Sequence, residues 1–268
     1  DPNIDTMPAS PEREVKAPLI SVVIRARDEA LAIARCLESI AEQRLARAQE
    51  IEVIVVDSGS EDPSAEIARA HGARVVEMPA RAFSFGRALN LGAANARGEI
   101  LVALSAHAFA PDPHWLGRLA QAFENPGVAC VTGDRFDPEG RPLGAALEQN
   151  FELARRRPEW GYSNAAGAFR AALWRRRPFR DDLPGCEDKE WAWYWLKRGY
   201  VCLVDPSVTV DHDHTHDSLL SIYRRARREA QGYSVFAELP PYGARELRRE
   251  WWSDLRWYDS AARARLSH

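Results

Sequence analysis

The chain has 268 residues, enough for one large α/β domain with a full core. Lys plus Arg number 36 against 39 for Asp plus Glu, a formal charge of −3 that excludes a general nucleic-acid binder. The local blocks Arg155-Arg156-Arg157, Arg175-Arg176-Arg177 and Arg224-Arg225 with Arg227-Arg228 read as solvated helix faces. Cys36, Cys130, Cys186 and Cys202 lack Cys-x-x-Cys spacing, so neither a zinc knuckle nor a dense disulfide framework is indicated and a reducing cytoplasm is the expected location. No apolar run reaches the length of a membrane span, and residues 1–17 read as a loose, polar, Pro-rich tail unlike a signal peptide.

In chain order, Leu19 to Ile24 is a β-branched strand, and Glu29 to Arg44 has apolar residues at helical spacing. Glu52 to Asp57 is a second strand, Ser58 to Pro63 a turn, and Ala65 to His71 a short helix closed by Gly72. Arg74 to Met78 reads as a third strand and Phe85 to Ala96 as a helix ending at Gly98. From Glu99 an apolar run gives a fourth, doubly covered strand that stops at Ser105-Ala106-His107, before a helix from Trp115 to Glu124. Strands alternating with helices predict a mostly parallel sheet with right-handed crossovers.

After a strand from Val128 to Gly133 the periodicity weakens through Asp137 to Pro158. Ser163 to Arg170 reads as a strand, Asp188 to Arg198 as a Trp-rich helix, Tyr200 to Val204 and Val208 to Val210 as short strands, and Leu219 to Glu238 as a basic helix. The expected organisation is one α/β domain over 18–240. Its nucleotide-binding half is 18–135, its elaborated acceptor-binding half 136–217, and a C-terminal helical extension covers 218–268.

Three places carry chemistry. Arg25, Arg27, Asp28 and Glu29 follow strand one, Asp57 ends strand two, and Ser105 with His107 ends strand four, so all can face one crevice at the carboxyl edge of the sheet. Asp57 can accept from a nucleobase imide, or cap its turn through Ser60; Arg25 and Arg27 can offset phosphate charge. Glu187 and Asp188 fall at a helix N-terminus, which suits either a proton-accepting carboxylate or a plain cap. Beyond them Trp191, Trp195 and Arg198 form a stripe that reads as core rather than as a sugar-stacking platform. In Asp211-His212-Asp213-His214-Thr215-His216 an extended backbone sends the three imidazoles to one side, fit for a cation or phosphate, or merely a polar surface strand.

Taken together and in order, Ser21 to Glu29, Glu52 to Asp62, Phe83 to Gly98, Glu187-Asp188-Lys189-Glu190 and Gly199-Tyr200 leading to His212-Asp213-His214 resemble a bacterial family 2 glycosyltransferase of the GT-A fold, especially its rhamnosyltransferase-like branch. The resemblance runs from about Pro18 to about Gly232. It implies an inverting transfer of a sugar from a UDP- or dTDP-sugar to a carbohydrate, lipid-linked or small-molecule acceptor, as in polysaccharide or glycoconjugate biosynthesis. By the same resemblance Asp188 matches the general base, with Glu187 its neighbour; Asp57 and the Arg25–Glu29 segment match the nucleotide site; His212 or His214 matches the metal- and diphosphate-binding His. Arg170 lies in the segment matching the acceptor side and is available to neutralise the leaving group.

The pattern departs from the family at strand four, where Ser105-Ala106-His107 replaces Asp-x-Asp. His107 is then a candidate ligand with His212 and His214, its imidazole suiting Mn²⁺ better than Mg²⁺, and Ser105 can contribute a hydroxyl; the alternative is that no ion binds and Arg and His side chains neutralise the leaving group. His107 is expected in the donor crevice within reach of His212 or His214, on Asp57's side of the sheet. The alternative reading is a non-catalytic nucleotide-sugar binder with a decayed metal motif; a nucleotidyltransferase is weaker, because a Gly-rich loop and Lys near strand one are absent. The basic helix from Leu219 is expected to pack on the domain, the alternative being peripheral contact with an anionic membrane.

Overall fold

The computed structural model describes residues 20–45, 51–212 and 219–237. β1 (Ile20–Ala26) sits at the centre of the parallel half, between β2 (Ile51–Asp57) and β4 (Ile100–Ser105), with β3 (Arg74–Glu77) outside β2. The full sheet runs β3-β2-β1-β4-β8-β6-β9-β7, where β6 is Val128–Thr132, β7 Leu147–Gln149, β8 Ala166–Arg170 and β9 Val201–Val204. The chain leaves β1 to one side for β2 and later returns on the other side as β4, the topological switch that opens a crevice beyond the strand ends.

The helices α1 (Ile33–Ala41), α2 (Ser64–Ala70) and α4 (Trp115–Ala122) cover one face of the sheet. α3 (Phe85–Ala94), α6 (Ala171–Arg176) and α7 (Glu187–Leu196) cover the other. β1 and β4 are therefore buried on both faces, which is why their sequences run apolar without alternation. Trp191 and Trp195 are buried in the second layer, Trp191 within ring contact of Tyr162, Phe169 and Phe179. That agrees with core rather than platform. Arg198 stacks on Tyr194 instead of extending the stripe.

α1 begins four residues later than the periodicity suggests; the peptide N–H groups of Glu29 and Ala30 before it donate to Ser64 Oγ and Asp62 Oδ2, tying this stretch to the turn after β2. The expected strand at Val208–Val210 is a 3-10 turn, Pro206–Val208, started by the Asp205 side chain accepting from Ser207 N–H. The ladder forms beyond it, where β10 (Asp211–His212) pairs antiparallel with β5 (Ala108–Phe109). The short helix α5 (Phe151–Arg156) lies in the stretch of weak periodicity, started by the Asn150 side chain, which accepts from Leu153 N–H.

Two strands break the parallel pattern, β7 at the edge beside β9 and β8 within the sheet, where it runs antiparallel to both β4 and β6, pairing Leu104 with Ala166 and Ile100 with Arg170. The first residues of β8 therefore lie at the crevice edge and its last at the opposite edge. Gly167 is required there, since a Cβ would come 2.5 Å from Ser163 O and 2.9 Å from Val131 O. α8 (Leu219–Phe236) docks on the start of α7, with Gly232 so close to Gly185 O that a Cβ would stand 2.3 Å from it.

Removing the indole at the centre of the second layer tests this packing. Trp191→Ala is expected to lower unfolding free energy by about 3–5 kcal/mol, measured by urea denaturation, as for other buried aromatic deletions.

Candidate active site

Two spaces meet at Arg25 and Phe85. The first, about 140 Å³, lies at the ends of β1 and β4 and is lined by Arg25, Arg27, Glu29, Ser58, Ser105 and His107, with Phe83 and Phe85 as its wall. The second, about 340 Å³, lies between the start of α7 and α8, where Asn164, Glu187, Asp188, Arg228, Glu229 and Tyr233 surround it.

The loop after β1 is built by cross-ties to the turn after β2. Asp28 adopts a left-handed backbone, φ 54°, held by its own N–H on Ser60 Oγ at 3.0 Å and by Glu61 N–H donating to Asp28 Oδ1 at 2.8 Å. Asp57, 5% exposed, accepts from Ser60 N–H at 3.0 Å and Ser60 O–H at 2.7 Å. Its carboxylate thus serves the turn, whereas the neighbouring Ser58 lines the crevice, its hydroxyl buried with no partner among the described residues. His107 lines the crevice beside Arg25 and Ser105, its Nδ1 2.7 Å from Glu29 Oε1. The backbone of His212 is brought to it through the pairing of His212 with Ala108; His214 lies outside the described residues.

Around the second space, α7 starts directly after Cys186, which is left-handed at φ 62°. Glu187 is 4% exposed and receives Asn164 Nδ2–H at 3.3 Å, with Arg25 Nη1 at 3.8 Å. Asp188 is half-buried and accepts from Asn164 N–H at 3.1 Å and Lys189 N–H at 2.7 Å. Burial, and after it the negative charge of Asp188, pushes Glu187 up to about 7, against the opposing pull of Arg25 and the Asn164 amide. Burial likewise raises Glu229 and Tyr233 on α8 and pushes the Cys186 thiol up to about 12, so this cysteine is no nucleophile.

Arg170 corrects the reading of the sequence. It ends β8 at the far edge of the sheet, where its guanidinium donates to Val128 O, Phe123 O and Asn125 O at 2.6–2.9 Å and stacks on Phe123. It is tied up in structure away from the crevice, because the strand that carries it is reversed. Residues that sequence reasoning passed over are Ser58, Phe85, Asn164 and the α8 pair Arg228 and Tyr233; Ser163-Asn164 before a run of small residues was the one local signal.

A divalent cation was expected at His107, His212 and His214. Among the described residues no three His, Cys, Asp or Glu side chains gather to hold an ion, and Glu29 with His107 alone is a poorer donor set than a hard dication takes. The other two expected donors, the His212 side chain and His214, lie outside the described side chains.

A mostly parallel, doubly covered sheet with a strand-end crevice joined to a carboxylate-bearing cleft defines the GT-A class of glycosyltransferase. Residues 21–183 match the family described as "Glycosyl transferase family 2", and the chain belongs to that family. Among solved structures, a mannosyltransferase from Pyrobaculum calidifontis in complex with GDP-Man and Mn²⁺ matches with TM-score 0.68 and 24% identity, over 84% of this chain and 66% of that one. Glucosyl-3-phosphoglycerate synthase from Mycobacterium tuberculosis, in complex with phosphoglyceric acid, matches with TM-score 0.60 and 24% identity, over 84% and 82%. An uncharacterised protein of Sinorhizobium fredii is 30% identical over 129 residues, which are 46% of this chain and 14% of that protein.

The Glu187 carboxyl has a consequence for stability. Its folded value, about 7, is above its ordinary 4.5, so its protonated form is the one the fold favours. That contribution is complete below pH 4.5 and is lost as pH rises to about 7. Glu187→Gln is therefore expected to match the wild type in thermal unfolding at acid pH and to exceed it at pH 8, by about 1–3 kcal/mol.

Proposed function

We propose that the domain transfers a sugar from a nucleoside diphosphate donor to an acceptor hydroxyl with inversion at the anomeric carbon. The observation that carries the reading is the meeting, at Arg25, of a crevice lined by Arg25, Arg27 and His107 with a cleft holding Asp188. The nucleoside lies toward Ser58 and Asp57, the diphosphate against Arg25 and Arg27 with His107 beside it, and the acceptor in the cleft beneath α8. A UDP- or dTDP-sugar as donor, and a place in the rhamnosyltransferase-like branch serving polysaccharide or glycoconjugate assembly, are the forms of this reading we favour.

The acceptor hydroxyl attacks the anomeric carbon from the face opposite the diphosphate as Asp188 takes its proton, and the bond from carbon to the diphosphate oxygen breaks with its electron pair. Arg25 and Arg27 offset the charge that develops on the leaving group. Asp188 is the better base of the pair, being half-exposed to the cleft, while Glu187 is buried against Arg25 and Asn164. α8 turns Arg228 and Tyr233 to the cleft and leaves Arg224 and Arg227 exposed, the side on which a lipid-linked acceptor at an anionic surface would approach. Among the described residues no helix is long and apolar enough to cross a membrane.

Asp188→Asn is expected to lower turnover of UDP- or dTDP-sugars at least about 10²-fold while nucleotide affinity, measured by calorimetry, stays within about twofold. Retained turnover would remove Asp188 as the base, and binding without turnover in the wild type, across donors and acceptor pools, would favour a nucleotide-sugar-binding subunit instead. Arg25→Ala should weaken UDP or dTDP binding about tenfold or more, whereas Arg170→Ala should lower stability and leave that affinity unchanged.

A further inference from the structure

The turn between Tyr162 and β8 holds a residue with one contact to each of three charged groups, Asp188, Glu187 and Arg25. The Asn164 peptide N–H donates to Asp188 Oδ2 at 3.1 Å, its side-chain Nδ2–H to Glu187 Oε1 at 3.3 Å, and its carbonyl accepts from Arg25 Nη2 at 3.1 Å. Asn164 is 1% exposed, and its Oδ1 has no partner among the described residues. An amide left half-unsatisfied in a buried site has a cost, so its orientation is set by the carboxylate it serves. The turn is itself anchored: Ser105 N–H donates to Ala165 O at 2.9 Å, and Ala165 N–H to Ser163 Oγ at 3.2 Å.

We propose that Asn164 is a positioning residue of the transfer reaction, holding Asp188 through its peptide N–H, Glu187 through its amide and Arg25 through its carbonyl, so that the two carboxyls meet the cleft at a fixed separation. This rests on the reading of the cleft as the site of proton removal. The residue type follows from the chemistry. Aspartate at this position would bring a third negative group against Glu187 and Asp188, and an apolar residue would leave Glu187 Oε1 with Arg25 at 3.8 Å as its nearest cation and no amide donor.

Glu187 reports on this arrangement. The groups that face it are Arg25 from β1, Asp188 on its own helix and Asn164 from the turn. Lys189 of α7, Glu159, and Arg225, Arg228, Glu229 and Tyr233 of α8 border the same cleft. The Asn164 amide favours the charged form of Glu187, so its loss moves the carboxyl further up. A charged Glu187 in turn favours uptake of the acceptor's proton by the pair, so the acid limb of the transfer rate follows the Glu187 titration.

The experiment is a pH titration of the Glu187 side-chain carboxyl in the full chain, by NMR with ¹³C-labelled glutamate assigned through Glu187→Gln, alongside kcat/KM against pH with UDP- and dTDP-sugars. Asn164→Ala is expected to raise the midpoint by about one pH unit, and the near-isosteric Asn164→Asp by more. The acid limb of kcat/KM should move by the same amount and in the same order, with the donor KM unchanged. A midpoint that stays in place in either folded variant overturns the proposal, as does a rate that falls equally at every pH. If the wild type turns over no donor, the reading of the reaction fails, and the carboxyl titration alone still decides whether Asn164 holds the pair.

Discussion

The direction of β8 is the constraint on which the rest of the site depends. Between β4 and β6 the sheet accepts one antiparallel strand, and the reversal decides which end of that segment meets the crevice. Because Ala166 pairs with Leu104, the turn 163–165 arrives beside Ser105 and Arg25; because Arg170 pairs with Ile100, its guanidinium is carried to the opposite edge. Gly167 lets the turn fold back over its own strand, since a Cβ there would run into Ser163 O and the Tyr162 ring. A parallel strand in the same position would have exchanged the two ends, and with them the chemistry of the edge.

The second consequence is electrostatic. Arg25 leaves the end of β1 buried on both sides, so it must find its partners in the turn and at the start of α7; it finds Asn164 O and Glu187. Two adjacent carboxyls at a helix start would repel each other in a dry site, but their exposures differ, with Glu187 buried and Asp188 open to the cleft. Burial raises the first toward neutrality while the second keeps its hydrogen bonds from two peptide N–H groups. α8 completes this division of labour by roofing the cleft, and the approach of Gly232 to Gly185 O sets how near it comes. Hydrogen bonds from rigid strand ends thus orient the polar groups, and helix packing sets the space between them.

Much of this architecture is legible in the residues alone. The alternation of β-branched runs with helical spacing determines the parallel half, and the abrupt end of each run marks the edge where ligands collect. Ser21 to Glu29, Glu52 to Asp62 and Glu187-Asp188 are local motifs, so the family and the identity of the acidic pair are written in the chain. What the sequence could not express is direction and distance between segments far apart in it. Whether 163–170 runs up or down the sheet has no local signature, since a short strand of small residues reads the same both ways. That one choice, made by pairing with β4 and β6, brought in Asn164 and removed Arg170. Asp57 is likewise a strand-end acid in the sequence, and only the fold shows its carboxylate turned to Ser60, with Ser58 beside it lining the crevice. Composition and periodicity determined the elements and the edge on which the site forms; tertiary hydrogen bonding decided which side chains reach it, because strand direction is a property of pairs and not of a single segment.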